Sequence, residues 1–265
     1  IIDCIWLKKE GATEREYEEL AREIARKAGI DISLEGIYNW ILFPASKMDP
    51  DITTANRYVG WYNHGEIKIR GIEARRRDTP KFIKNMQSAM LERMSGARTV
   101  EELRSAVPEL LDIVRNFISL LRSGKANPME LVLRRHVTKE ADEYTNNSIS
   151  AVVSKLVKEM GVPLAAGESI EFIIIDRSGK KKPEKAKPLA LYAFEDGYDI
   201  EQYTEFALKA AETLLLPLGY DTRVLAEYLG LSESQEKKPR AIRATPRRHT
   251  ASPVQIPLLR MRLHS

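Results

Sequence analysis

The sequence predicts an α+β protein in three parts, and three observations carry that reading. Residues 1–72 hold short β-branched and aromatic runs around a single amphipathic helix, in the order β-α-β-β-β. From Thr79 onward capped helical repeats follow one another with little strand between them. From Ser232 the chain becomes polar, basic and proline-bearing without marked periodicity, which predicts a disordered basic tail over 232–265.

Each element has a local cause. Ile1-Ile2-Asp3-Cys4-Ile5-Trp6-Leu7-Lys8 is apolar and β-branched enough to form a buried strand, and it lifts Asp3 toward a site. Thr13-Glu14-Arg15-Glu16 is a capping box, after which Tyr17, Leu20, Ala21, Ile24 and Ala28 recur at helical spacing until Gly29. Residues 34–43 read as a strand, and residues 58–62 and 66–72 as a hairpin turned by Asn63-His64-Gly65. Thr79-Pro80 is an N-cap with proline at the first helical position, and Phe82, Ile83, Met86 and Met90 mark the helix that follows. A second capping box at 99–102 opens a helix with Leu103, Val107, Leu110, Val114, Ile118 and Leu121 on its inner face. A helix at 148–160, a strand at 169–176, a basic loop at 177–188 and helices at 199–216 and 221–229 complete this region.

Composition sets outer limits. With 265 residues the chain can bury one large core or two smaller ones, and 43% hydrophobic with 30% charged residues is globular. It contains no apolar stretch of about 18 residues, so no helix is expected to cross a membrane. The lone Cys4 allows no internal disulfide and points to a reducing, cytoplasmic setting. The start at Ile1-Ile2-Asp3, inside a strand and without an initiator methionine, suggests the C-terminal piece of something longer or one half of a split protein. The net charge of +4 is uneven: from Lys237 there are eight Lys or Arg and no acid, so residues 1–236 sum to 4 − 8 = −4. Nucleic-acid binding by an acidic body must rest on a local patch.

The densest such patch is Lys68, Arg70, Arg75, Arg76, Arg77, Lys81 and Lys84, against Glu66, Glu73 and Asp78. A strand leading into a helix start can present such cations to a phosphate backbone, while a salt-bridged junction is the plainer alternative. Three consecutive arginines exceed what Glu73 and Asp78 can neutralise.

These residues also carry a resemblance. Asn56-Arg57-Tyr58-Val59-Gly60 followed by Gly71-Ile72-Glu73-Ala74-Arg75-Arg76-Arg77-Asp78-Thr79-Pro80 closely resembles family B DNA polymerases of the archaeal type. There a Lys-Lys-Arg-Tyr-x-Gly segment precedes a hairpin and a Gly-Ile-Glu-x-x-Arg-Arg-Asp stretch where palm meets thumb. Leu131-Val132-Leu133-Arg134-Arg135, Tyr144, Ala166-Gly167-Glu168-Ser169-Ile170 and Pro217-Leu218-Gly219-Tyr220-Asp221 look like thumb landmarks in the family's order. The resemblance covers about residues 1–230. It implies the C-terminal part of a palm at 1–79, a thumb at 80–231 and a tail at 232–265.

The resemblance further implies that Ile1-Ile2-Asp3-Cys4 stands in the place of the family's Asp-Thr-Asp-Ser metal motif, leaving Asp3 as the catalytic and metal ligand for Mg²⁺. Ile1 cannot coordinate a hard cation, so the site is weak or lost, as in the archaeal branch described as inactivated. Asn56 falls where the family has a lysine. DNA contacts are implied for Arg57, Tyr58, Gly60, Arg75, Arg76, Arg77, Lys81, Arg134 and Arg135. The implied partners are primer-template DNA and an N-terminal polymerase portion or subunit. Gln255-Ile256-Pro257-Leu258-Leu259-Arg260-Met261 is loosely similar to a sliding-clamp peptide without its two aromatics, so a clamp contact through the tail is a further expectation. The functions implied are a polymerase part that needs the missing N-terminal parts, a non-catalytic duplex-binding module in replication or repair, or a decayed fragment.

Overall fold

A computed structural model describes residues 4–45, 52–54, 56–138, 143, 148–178, 185–231 and 255–264. The expectations placed on Asp3, Tyr144 and residues 232–254 lie outside these. The described chain mixes helices with two antiparallel sheets, so the α+β class holds. It divides into two compact units, one of Ile1–Ile72, Leu91–Glu109 and Glu212–Ser265, the other of Glu73–Met90 and Leu110–Ala211.

The first unit contains the expected β-α-β-β-β order. β1 (Cys4–Lys8) leads into α1 (Glu14–Ala28), then β2 (Asp31–Leu42), β3 (Tyr58–Tyr62) and β4 (Ile67–Arg70). The α1 capping box is present: Thr13 N–H donates to Glu16 at 2.8 Å and the Thr13 hydroxyl accepts from Glu16 N–H. Gly29, at φ 67°, ends the helix as a left-handed cap. Beneath α1, Tyr17 and Ala21 pack with Leu7, Ile24, Ile32, Leu34 and Ile37, while Leu20, expected on the inner face, is exposed. A second cluster joins Tyr38, Ile41, Tyr58 and Tyr62 with Trp6 and Phe43. Trp40 is fully buried and donates its indole N–H to the Ala97 carbonyl at 2.9 Å.

Over residues 255–264 the structure departs from the disorder expected of the tail. Residues 255–264 form β8 (Gln255–His264), which inserts into this sheet to give the order β1-β8-β2-β3-β4. The signal was the alternation Leu259-Arg260-Met261-Arg262-Leu263-His264, a period-2 pattern masked by the surrounding basic residues. Pro257, a poor residue for a central strand, falls where β1 has ended and where the β2 register shifts between Tyr38 and Trp40. The segment that resembles a clamp peptide is therefore paired on both sides over most of its length.

The second unit is mainly helical. Most of α2 (Lys81–Ser95), α4 (Val107–Arg122) and α6 (Ile200–Leu215) and all of α5 (Ile149–Glu159) supply its framework, with the short α3 (Val100–Ser105) and α7 (Thr222–Tyr228) belonging to the first unit. A three-stranded sheet pairs β5 (Leu133–His136), β6 (Ser169–Ile174) and β7 (Ala186–Pro188) in that order. Tyr203 is fully buried, its hydroxyl accepts the Ile174 N–H at 3.1 Å, and burial pushes its phenol pKa upward. Among the described residues no helix is long and apolar enough to cross a membrane.

Candidate nucleic-acid interface

In the first unit the candidate residues sit on the β3–β4 hairpin. Tyr58 pairs with Arg70 and Gly60 with Lys68 across the ladder. Arg57, just before β3, donates from Nε to the Gly71 carbonyl at 3.1 Å and reaches the Thr213 hydroxyl at 3.4 Å. This clamp closes on Gly71, whose φ of 65° and whose missing Cβ are both required: a Cβ there would meet the Asn56 carbonyl oxygen at 2.6 Å.

Tyr58 and Gly60, two of the residues expected to contact DNA, are buried within this unit. The Tyr58 ring is buried against Trp6 and Phe43, at 1% exposure. Gly60 is buried, and its lack of a Cβ lets the Tyr38 ring pack against it, since a Cβ there would stand 2.5 Å from that ring. Both fix the strand on which Arg57 and Arg70 are mounted. Lys68 is also committed, since it pairs with Glu35 at 2.9 Å, and Glu35 accepts the Tyr62 hydroxyl at 3.3 Å. Arg70 is exposed and makes no ion pair among the described residues.

In the second unit the three arginines lie on an exposed bend that begins with a 3-10 turn at Glu73–Arg75. Arg76 grips Asp78 with two hydrogen bonds, 3.0 and 2.7 Å. That guanidinium holds the Asp78 carboxyl below the usual carboxylate range, against the opposing effect of partial burial, and Arg135 adds to the lowering. Arg135 on β5 is therefore near this bend in space, although 57 positions separate it from Asp78 in sequence. Arg75 and Arg77 form no ion pair among the described residues, whereas Lys81 pairs with Glu130 at 3.2 Å. Arg134 is exposed and opposite Glu171 in the β5–β6 ladder.

One residue that shapes this bend escaped the sequence reading. Gln87, fully buried on α2, accepts the Ala74 N–H at 2.6 Å and donates to Glu73 at 3.0 Å and to the Ala210 carbonyl at 2.9 Å. It pins the turn from which Arg75 projects. A polar residue four places after Ile83, inside an otherwise apolar stripe, was the available signal.

Among the described residues no group of three or more His, Cys, Asp or Glu side chains is arranged to hold a metal ion. Ile1 and Asp3 lie outside them, so Mg²⁺ enters only through the family.

Residues 7–215 match the profile of DNA polymerase family B, and the chain belongs to that family. It is 25% identical over 235 residues to DNA polymerase 2 of Aeropyrum pernix, covering 89% of this chain and 26% of that protein. To the DNA polymerase of Archaeoglobus fulgidus it is 23% identical over 207 residues, 78% of this chain and 24% of the relative. The solved family B DNA polymerase of the hyperthermophilic archaeon Pyrobaculum calidifontis shares the fold, with a TM-score of 0.57 and 24% identity over 80% of this chain and 25% of that one. The chain spans about a quarter of the length of the relatives it matches.

Proposed function

We propose that this chain is the palm-and-thumb portion of a family B DNA polymerase and that it grips primer-template duplex through its phosphates. The palm segment is 1–79 and the thumb 80–231. The observation that carries the reading is the pair of exposed arginines, Arg75 and Arg77, which form no ion pair among the described residues, on a bend that Gln87 holds from below. Arg134 and Arg135 add exposed charge in the same unit. Arg fork geometry suits phosphate oxygens, and contacts to phosphates carry no sequence information. Binding is therefore independent of sequence and falls steeply with salt.

The geometry sharpens the test. Because Arg76 is already gripped by Asp78, Arg75→Ala with Arg77→Ala is expected to weaken primer-template binding nearly as much as the triple alanine variant, and Arg76→Ala alone much less. Fluorescence anisotropy across a salt series checks this, with the slope of log affinity against log salt reduced by about 2 in the double variant. Parental affinity at equal ionic strength would show the surface to be misassigned.

A second reading, a duplex-binding module without catalysis, is favoured by Ile1. Two-metal nucleotidyl transfer needs oxygen ligands on both sides of the ions, and an alkyl side chain supplies none. Asp3 alone would hold a cation weakly. Ile1→Asp is expected to tighten Mn²⁺ binding by about tenfold or more, within the range seen when a metal site gains a supporting group. Calorimetric titration reads this directly, and unchanged affinity would refute the placement of residues 1–4 in the metal motif.

A further inference from the structure

β1 and β2 are joined through α1 and each runs antiparallel to β8, so they are parallel to one another with a gap one strand wide between them. β8 fills that gap from far away in the sequence. The family match ends at residue 215 and β8 begins at 255, 40 positions later. β2 lies wholly within the match, and β1 runs into its start. The residues matched to the family thus supply all of β2 and the end of β1, while the strand between them comes from outside the match. An unfilled slot would leave the inward N–H and C=O groups of both rims without partners at the centre of a sheet.

We propose that the space between β1 and β2 is a strand-acceptor site, that β8 is its tethered occupant, and that an extended segment of a separate polypeptide can take β8's place. The rims define the chemistry of that segment. It must run antiparallel to both, and it must carry apolar residues at alternate positions, because Leu7, Ile32, Leu34 and Ile37 pack beneath α1. β8 has that pattern: Leu259 stands opposite Leu7 and Ile37, Met261 opposite Leu34 and Leu263 opposite Ile32.

Positions 232–254 separate β8 from Leu231, and a stretch of that length can extend to about 80 Å. The same tether holds β8 at an effective concentration on the order of millimolar. A free strand of equal intrinsic affinity therefore competes with it at about millimolar concentration, the range in which a peptide is titrated, and a strand whose parent polypeptide makes further contacts competes at less.

The lone cysteine supplies the test. Cys4 is opposite Arg262 in the β1–β8 register, and opposed Cα atoms of an antiparallel pair lie about 4.5–5.5 Å apart, within disulfide reach. In the full chain carrying Arg262→Cys, mild oxidation is expected to consume both thiols while the protein stays monomeric. A fluorescent synthetic peptide with the sequence of residues 255–265 is expected to bind the reduced protein and to lose at least tenfold in affinity once the disulfide locks β8 in place. Two free thiols after oxidation, or a disulfide-linked dimer, would overturn the seating of β8. Equal peptide binding by the oxidised and reduced forms would overturn the acceptor site. If Arg262→Cys fails to fold, Leu7→Cys with Leu259→Cys, opposed in the same ladder, reports on the same seating. No readout involves DNA, so the result is separable from duplex binding.

Discussion

Gln87 shows how much one buried side chain can govern. Its three hydrogen bonds tie the 3-10 turn at Glu73–Arg75 to α2 and to the Ala210 carbonyl, so a core residue determines where exposed cations stand. Gln87→Leu keeps the volume and removes every side-chain bond: the half-buried Ala74 N–H loses its acceptor, while the Ala210 carbonyl, inside α6, keeps its helical partner and loses only a second donor. A stability loss of about 1 kcal/mol or more is expected, since a stranded polar group costs about 1–3 kcal/mol. Urea denaturation measures it. Duplex affinity measured well below the unfolding midpoint should fall as well, because the turn no longer holds Arg75, and an unchanged affinity in a folded variant would deny Gln87 its positioning role. The arginines themselves were legible in the sequence, being three in a row beside only two acids. Their differing availability was not, because it depends on Asp78 closing on Arg76 and on Glu130 reaching Lys81 from another part of the chain.

Among the elements, α1 is the one whose sequence signals translate most directly. Its capping box and terminal glycine are local devices, and local devices survive whatever the tertiary context does. Glu16 makes the box titratable. The Lys9 ammonium at 2.6 Å, then the Thr13 N–H and hydroxyl, hold its carboxyl at about 2, down from the ordinary 4.5. A carboxyl depressed in the folded state stabilises above its unfolded pKa and loses that contribution as pH falls through the folded value. The contribution of Glu16 is therefore complete above about 4.5 and gone near 2. Urea midpoints of the parent and Glu16→Gln should differ at pH 6 and converge toward pH 2, and parallel curves would remove Glu16 from the linkage. β3 and β8 were harder to read. Nothing local says that Tyr58 turns inward to Trp6 and Phe43, and pairing between β1 and β8 joins residues as far apart as Cys4 and Arg262.

At the scale of the whole molecule, charge and topology are divided unevenly along the chain. The eight basic residues from position 237 onward offset a body of net −4, so any hold on an anionic polymer by the body depends on where a few arginines stand. Topology has a different consequence, one of timing. β8 begins more than 200 residues after β2 ends, and a ribosome adding about 5–20 residues per second needs ten seconds or more to cover that distance. During that interval the nascent chain carries both rims of an open sheet, with two ladders ready to pair with whatever extended segment reaches them first. The order of synthesis thus gives a strand from another polypeptide a period in which it meets no competitor, and association during translation becomes the kinetically favoured route into the slot.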